Sequence, residues 1–173
     1  MVKPITDIGV PPIGWEDKLK TYLVAAGLRQ TEQRHAIATT FFSYAGHPNI
    51  DELYARIRVT HPSIGQATVY RTLKLLVECG LAHESQFGDG TTRYEATHTD
   101  EHHDHLVCVE CGHIFEFHNE QIESLQETIA ASHGLNVTDH KMVIYGECTR
   151  QPCPRRAPTR ERKRPDSDRT PQK

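Results

Sequence analysis

The 173-residue sequence has no run of about 18 apolar residues, the length that a membrane-spanning helix needs. Its first residues, MVKPITDIGVPPIGW, lack the basic-then-apolar order of a signal peptide. We therefore expect a cytoplasmic protein without membrane association. In a reducing compartment its five cysteines are expected to serve metal binding or redox chemistry more often than disulfides, and the odd number fits four ligands and one spare thiol.

Positive charge is scarce in one part of the chain. Residues 96–149 contain a single Lys or Arg, Lys141, against ten acidic residues, and they hold eight of the twelve histidines. Residues 1–95 are electrically balanced, whereas the chain from residue 150 onward is strongly basic. Acids and imidazoles gathered in one segment suit cation binding, and they repel polyanions until a metal neutralises some of the charge. An acidic solvated surface is the alternative, but it leaves the clustering of histidines unexplained.

Three helices are predicted in the first 60 residues, each with a recognisable start or end. The first begins near Trp15, has apolar residues at helical spacing, and is expected to end at Gly27. Thr31 is expected to cap the second helix. Asn49 and Glu52 form a capping box at the start of the third.

A fourth helix is predicted from the stretch SIGQATVYRTLKLLVECG. Ser63 is expected to cap it, with Gln66 returning the bond, and Gly80 to end it. Apolar residues form a buried stripe on one side. The other side carries an amide, a phenol and two cations: Gln66, Tyr70, Arg71 and Lys74. Such a face fits the major groove of DNA, although a solvated helix surface is the favoured interpretation when the face is taken alone.

The segments LAHESQF and TTRYEAT, which are joined by GDG, predict a β-hairpin after the fourth helix. Three helices, a helix with a DNA-like recognition face and a hairpin make a winged helix-turn-helix. This context favours DNA binding over the solvated-surface interpretation.

The remainder of the chain predicts a small α/β unit. Strands are expected at residues 104–109 and 113–117, a helix at 120–133, and a further β-prone segment at 136–145. A unit of about 55 residues with so few apolar positions usually needs a metal or a partner chain for stability.

Two cysteine pairs flank this unit. Cys108-x-x-Cys111 has zinc-knuckle spacing, because a turn between two thiolates lets both reach one tetrahedral ion. Cys148 and Cys153 form a second, more widely spaced pair that would complete a four-cysteine zinc site. Redox-active or free thiols are the alternatives.

The stretch EHHDH predicts two sites on one strand. His103 and His105 alternate along an extended segment and share one face, whereas His102 and Asp104 share the opposite face. Four ligand-type residues in alternation are unusual for a solvated surface strand.

The motifs ATVYRTL, HHDHLVCVECG, FEF and HGLNVTDHKMVIYGEC together resemble the ferric uptake regulator family of metal-responsive bacterial repressors, over Trp15 to Cys153. The resemblance implies an α+β chain, with an N-terminal winged helix-turn-helix DNA-binding domain at 15–97 and a small α/β metal-binding dimerisation domain at 98–153. It also implies a homodimer, or a tetramer formed from two such dimers, on double-stranded DNA. Residues 1–14 and 154–173 lie outside it and are expected to be a flexible extension and a basic disordered tail.

The resemblance also implies functional residues. The structural zinc site falls on Cys108, Cys111, Cys148 and Cys153. The regulatory metal site falls on His47, Glu95, His103, His105 and Glu116. An additional metal site falls on His102, Asp104, Glu123 and His140. The DNA-binding residues are Tyr70 and Arg71, with Gln66 and Lys74 on the same helix face and Arg29 as a minor-groove reader of A·T-rich sequence.

Three imidazoles and two carboxylates suit Fe(II) or Mn(II), and zinc sensors of this family tend to add a thiolate. The glutamates at 95 and 116 resemble the iron branch, while the peroxide-sensing branch tends to have aspartates there. We therefore expect an Fe(II)-loaded repressor of A·T-rich palindromic operators that controls iron homeostasis. Peroxide, zinc or manganese sensing within the same family is the alternative. A zinc-dependent hydrolase and a metal buffer without DNA binding are more remote interpretations, and we expect no enzymatic activity.

Overall fold

The computed structural model describes residues 3–5, 9, 11–97, 102–150 and 153. The first half consists of four helices followed by a two-stranded hairpin. The helices are α1 (Trp15–Ala25), α2 (Glu32–Phe42), α3 (Ile50–Thr60) and α4 (Gln66–Glu78), and the hairpin strands are β2 (Ala82–Gln86) and β3 (Thr92–Ala96). One strand, β1 (Lys3–Ile5), precedes them in sequence.

One apolar core joins these helices and the hairpin. α4 contributes the predicted stripe of Val69, Leu73 and Leu76, all with no exposed surface. The other elements contribute buried side chains such as Leu23 from α1 and Tyr94 from β3. This half therefore has the continuous interior that an independently packed domain requires.

The predicted starts of α2 and α3 are confirmed. The Thr31 side chain accepts a hydrogen bond from the backbone N–H of Arg34 at 3.2 Å. Asn49 and Glu52 form the full capping box, with both bonds at 2.9 Å. These caps depend only on residues close in sequence, which explains why the sequence predicts them.

The predicted cap of α4 is wrong. Gly65 occupies the N-cap position with extended backbone and no side-chain cap bond. Ser63 lies two residues before it, and the Gln66 amide donates to Asp51 of α3 at 2.5 Å instead of returning a bond to Ser63. A contact between two helices has replaced the local capping box.

The hairpin has the predicted form of a wing. β2 and β3 are antiparallel, and Gln86 pairs with Thr92 at the tip. The turn between them contains Gly88 and Gly90 at φ angles of 80° and 73°, a region that L residues rarely adopt.

The second half is a four-stranded sheet with one helix. Its elements are β4 (Asp104–Cys108), β5 (Ile114–His118), α5 (Glu120–Ser132) and β6 (Val143–Gly146). The strand order is β1-β5-β4-β6, with β4 antiparallel to β5 and parallel to β6. The predicted α+β architecture, a winged-helix half followed by a small α/β half, is confirmed.

The small α/β half has little apolar interior. α5 has no buried residue, and Leu125 and Ile129 of its predicted apolar stripe are 59% and 53% exposed. Two of the residues buried within β4 are polar, Asp104 and His105. Among the described residues this half is therefore not stabilised by a core of its own.

Part of the segment predicted to be a flexible extension, residues 1–14, forms a strand. β1 adds to the edge of β5, with Lys3 opposite His118 and Ile5 opposite Glu116. Its register depends on backbone pairing with a distant strand, which no local pattern reveals. Residues 98–101 and the tail at 154–173 lie outside the described residues, so the boundaries drawn there stay predictions. Within the described part of the chain, no helix combines the length and apolarity that crossing a membrane requires.

Candidate metal centres

Five side chains from both halves of the molecule meet between them. His47 lies in the loop before α3, and Glu95 lies on β3 of the wing. His103 and His105 come from the start of β4, and Glu116 from β5 directly opposite His105. We call these five residues the interdomain cluster. They are the residues that the sequence predicts for the regulatory site.

Four members of the interdomain cluster, His47, Glu95, His103 and His105, have ligand-type atoms within 4.8 Å of one another, and Glu116 joins them through its contact with His47. His47 Nε2 is 2.7 Å from Glu95 Oε2, 3.3 Å from Glu116 Oε1 and 3.1 Å from His105 Nε2. Glu95 is also 3.3 Å from His105 Nε2 and 3.6 Å from His103 Nε2. Two ligands that are each about 2.1 Å from one ion at right angles lie about 3.0 Å apart, so this spacing fits a first-row metal.

Burial makes a cation favourable in the interdomain cluster. The side chains of His47 and His105 are 3% and 5% exposed, and that of Glu116 is 9% exposed. Burial alone would raise the pKa of Glu95, but hydrogen bonds from His103, His105 and His47 hold it far below its usual range. Glu95 is therefore a carboxylate that these histidines keep ionised, which is the form that binds metal.

Phe87 is a member of this site that the sequence reasoning missed. Its ring is 4% exposed and lies edge-on to His47 and His105, with centroid separations of 5.6 and 5.0 Å. It excludes water from one side of the interdomain cluster. Its position next to the wing turn gave no local signal of this contact.

A second cluster lies on the opposite face of β4. It consists of His102, Asp104, Glu123 and His140, whose ligand-type atoms all lie within 4.8 Å of one another. His140 Nε2 is 3.3 Å from Glu123 and 3.9 Å from Asp104, and His102 Nε2 is 3.7 Å from Asp104. These are the residues predicted for the additional site.

Asp104 gives this second cluster its chemical character. The carboxylate is fully buried, and neither oxygen has a hydrogen-bond partner among the described residues. A buried charge in this position needs a cation or a protonated imidazole nearby. The donor set therefore fits a divalent metal. His118, which the sequence reasoning did not select, adds an imidazole 3.8 Å from Glu123.

The four predicted zinc ligands form two overlapping groups. Cys108, Cys111 and Cys153 lie within 4.8 Å of one another, and Cys148 groups with Cys153 and Glu110. β6 runs parallel to β4 with Gly146 opposite Cys108, which explains why the chain returns to the Cys-x-x-Cys turn. Glu110, inside that turn, was not predicted to lie here.

The electrostatics of the cysteine cluster also fit a cation. All five cysteines of the chain are thiols. Burial, followed by contact with Cys108 and Cys153, raises the pKa of Cys111. At Cys148 a backbone hydrogen bond from Arg150 opposes burial and Cys153, yet the pKa is still raised. Adjacent thiols resist ionising together, and a bound cation removes that resistance.

The residues predicted to bind DNA lie at or near the surface, but the side chains of Gln66 and Lys74 already have partners, Asp51 in the case of Gln66. Tyr70 is 45% exposed, and Arg29, Gln66 and Arg71 are also exposed. Lys74 instead pairs with Glu84 on β2 at 2.7 Å, so its charge is shared with the wing in this structure. The structure places four of the five on open surface and leaves their role in DNA binding a prediction.

Comparison with known proteins gives concordant results. The sequence profile of the ferric uptake regulator family matches residues 25–145. A ferric uptake regulation protein of Rhizobium leguminosarum bv. viciae is 43% identical over 120 residues, which cover 69% of this chain and 84% of that protein.

Solved structures agree with the sequence comparison. A zinc-bound manganese uptake regulator is 40% identical with a TM-score of 0.62, and the match covers 76% of this chain and 98% of that one. The Helicobacter pylori ferric uptake regulator, described as having three functional metal-binding sites, is 25% identical with a TM-score of 0.72, over 78% and 89% of the two chains.

Replacing Asp104 with Asn tests the second cluster. Because the buried carboxylate lacks hydrogen bonds, Asp104→Asn should unfold at a higher temperature than the wild type when no divalent metal is added, by about 2–4 °C for each kcal/mol gained. The same variant should bind one fewer Co(II) per chain. Thermal unfolding and Co(II) titration measure both effects. Asp139→Asn, an exposed neighbour, is the control, and an unchanged Co(II) stoichiometry in Asp104→Asn would contradict the assignment.

The pH dependence of unfolding tests the ionised state of Glu95. Its pKa is lower in the folded than in the unfolded protein, so its contribution to stability is complete above the unfolded value of about 4.5 and is lost as the pH falls below it. For one proton the slope approaches about 1.4 kcal/mol per pH unit. Glu95→Gln should flatten the acid limb of the urea-unfolding free energy of metal-free protein between about pH 5 and 3. Glu127→Gln, which changes an exposed glutamate, should leave that pH dependence steep. If the unfolding free energy of both variants has the same slope between about pH 5 and 3, the interpretation is refuted.

Proposed function

The chain belongs to the ferric uptake regulator family, and from this premise we propose that it is an iron-responsive repressor that binds A·T-rich palindromic operators as a homodimer. Membership makes it a metal-responsive, DNA-binding transcriptional regulator and not an enzyme. The proposal goes further, because it names the metal, the assembly and the role of each cluster.

The observation that carries the proposal is the composition of the interdomain cluster. His47 and Glu95 come from the winged-helix half, whereas His103, His105 and Glu116 come from the sheet half. All five ligands reach one ion only when the two halves adopt a particular arrangement. An ion that binds this arrangement more tightly than others shifts the population towards it, and that is how a metal regulates DNA binding here.

The donor set of the interdomain cluster supports Fe(II). Three imidazoles and two carboxylates are ligands of borderline hardness that suit Fe(II) and Mn(II), and the spare thiol, Cys79, lies in the core of the winged-helix half. A relative named for ferric uptake and a neighbour named for manganese uptake agree with that pair of metals. Zinc binds such sites more tightly than iron, so cellular availability decides which ion is present. Manganese, zinc or peroxide sensing remains the alternative function.

The other two clusters have supporting roles in this proposal. Cys108, Cys111, Cys148 and Cys153 hold a structural zinc, which fixes the turn after β4 to the end of β6. The second cluster holds a further divalent ion on the outer face of β4. Both compensate for the small apolar interior of this half.

A second copy of this chain covers the exposed apolar side chains of the sheet half. α5 exposes Leu125 and Ile129, and β6 exposes Ile144 and Tyr145, each by more than 40%. Adjacent apolar groups of this size are expected to be buried in a two-fold interface, where one patch contacts its own copy. The copy would supply the apolar burial that α5 lacks in the single chain.

The experiment that tests the proposal compares metals directly. Protein purified without air should contain zinc and Fe(II), and a labelled A·T-rich palindrome should be retained after addition of Fe(II) or Mn(II) but not of a chelator. Loss of a residue that only supports a metal ligand typically costs about 10- to 100-fold in metal affinity. Because His103 is a proposed ligand, His103→Ala should weaken Fe(II) binding by more than this and should also abolish DNA retention. His133→Ala, at an exposed histidine directly after α5, is the control. If zinc alone is enough for DNA retention, zinc sensing is the correct assignment. If a histidine gains one oxygen atom at low peroxide, peroxide sensing is correct. Either result would contradict the iron assignment.

Filter-binding measurements at several salt concentrations test the DNA-facing surface. Tyr70→Ala should lose about 1–3 kcal/mol of discrimination between operator and random DNA, because its exposed phenol is the group that we propose contacts base edges. Lys74→Gln should weaken binding to all DNA sequences similarly. It should also reduce the slope of log affinity against log salt concentration by about 1 per chain. Glu84→Gln should strengthen binding to all DNA sequences, because it removes the ion-pair partner of the Lys74 ammonium. A loss of discrimination in Lys74→Gln equal to that in Tyr70→Ala would contradict these roles.

Sedimentation tests the assembly. Ile129→Asp places a charge in the centre of the apolar side of α5, so the variant should be monomeric at concentrations where the wild type is dimeric. Val59→Asp is the matched control, because Val59 is 82% exposed on α3, away from the sheet half. If Ile129→Asp remains a dimer, the interface lies elsewhere.

A further inference from the structure

Lys141 connects the sheet half to the wing. It follows His140 of the second cluster directly in sequence and lies in residues 135–142, which have no regular secondary structure. Its ammonium donates a hydrogen bond to the Ser85 hydroxyl on β2 at 2.8 Å. Ser85 is 8% exposed, so the contact is shielded from water on the wing side. The metal-binding loop and the wing are therefore joined by a directed polar contact.

The same ammonium lies over an aromatic ring that covers the interdomain cluster. Lys141 Nζ is 5.7 Å from the centroid of Phe87, within the range of a cation–π contact. Phe87 in turn contacts the rings of His47 and His105. Lys141 thus contacts the two wing residues that connect β2 to the proposed regulatory site.

These contacts are distinctive because of the charge around Lys141. It is the single Lys or Arg in residues 96–149, a segment with ten acids, yet among the described residues it forms no ion pair. Its partners are a hydroxyl and an aromatic face in the other half of the molecule. Although Lys141 is an exposed residue, its ammonium is directed to these partners in the other half and not to the surrounding carboxylates.

β2 also contacts the proposed recognition helix. Glu84, next to Ser85, pairs with Lys74 of α4 at 2.7 Å. Any added side chain at Gly88 in the wing turn would lie 3.3 Å from the hydroxyl of Tyr145 on β6, so the turn packs closely on the sheet half. The wing is therefore held between the sheet half on one side and α4 on the other.

We propose that Lys141 is a positioning residue that couples metal occupancy of the second cluster to the position of the wing. This proposal rests on the proposed function, since it requires the second cluster to bind a divalent ion through His140. An ion on His140 restricts the adjacent residues of the 135–142 segment. Lys141 then loses less freedom when it binds Ser85, so the docked wing becomes more populated and the interdomain cluster is pre-organised. By linkage, metal in either cluster raises the affinity of the other.

The test isolates the second cluster and observes the wing. His47→Ala weakens the interdomain cluster from the winged-helix side and leaves the second cluster intact. In this background, Co(II) is titrated by its visible absorption, and amide hydrogen exchange of Ala82–Gln86 is followed with and without Co(II). Occupancy of the second cluster should slow exchange in β2 by about fivefold or more. Adding Lys141→Met, which keeps the length of the side chain without its ammonium, should abolish the response of β2 and weaken Co(II) binding by no more than the factor by which Co(II) slows exchange in β2.

Three controls separate the outcomes. Ser85→Ala should reproduce Lys141→Met, whereas Lys20→Met, an exposed lysine on α1, should keep the full response. A β2 response that survives in Lys141→Met, or a Lys141→Met protein that no longer binds Co(II) tightly, overturns the coupling role. His140→Ala is also added to the His47→Ala background. If this change does not reduce the amount of Co(II) bound, the second cluster is not a metal site. That result refutes part of the proposed function together with the inference, and the absorption spectrum distinguishes it from a failure of coupling alone.

Discussion

The buried charge of Glu95 is the constraint on which the arrangement of the two halves depends. A carboxylate in this position costs several kcal/mol unless donors or a cation surround it. Its donors are His47 from the winged-helix half and His103 and His105 from the sheet half. Separating the halves would remove His103 and His105 and leave the carboxylate with His47 alone, whereas one metal ion shared by the same ligands would strengthen the same geometry. The electrostatics of one side chain therefore link domain arrangement to cation concentration.

Strand β4 organises all three clusters through its alternation. Successive side chains point to opposite faces, so His103 and His105 belong to the interdomain cluster while His102 and Asp104 belong to the second. At about 3.3 Å per residue, Cys108 at the end of the same strand lies only about 10 Å further on from His105. Because β4 is an inner strand between β5 and β6, its position is fixed on both sides. Three sites built on one rigid strand respond together to any shift of the sheet.

Local features of this fold were predictable from the sequence, and features that depend on distant contacts were not. The capping box at Asn49 and the alternation of β4 need only neighbouring residues, and both are present as predicted. Ser63 and Gln66 were expected to cap α4, because the contact of Gln66 with Asp51 of α3 could not be known from spacing. Lys74 was expected to be free for DNA, but it is paired with the wing. The spacing of apolar residues in α5 predicted a helix correctly. It did not predict that Ile129 would be exposed in the single chain, where none of the described elements covers it.

The two halves differ in how they are stabilised, and this difference determines what kind of switch the protein can be. The winged-helix half has a continuous apolar core, so its stability does not depend on metal. The sheet half buries Asp104 and His105 where an ordinary domain buries leucine or valine, and its helix exposes an apolar side. In the proposed function, its stability therefore depends on cations and on a second chain. Loss of metal would then loosen the sheet half and the joint between the halves while the proposed DNA-reading surface stays folded, so regulation of the proposed dimer would act through the placement of two intact recognition helices and not through their unfolding.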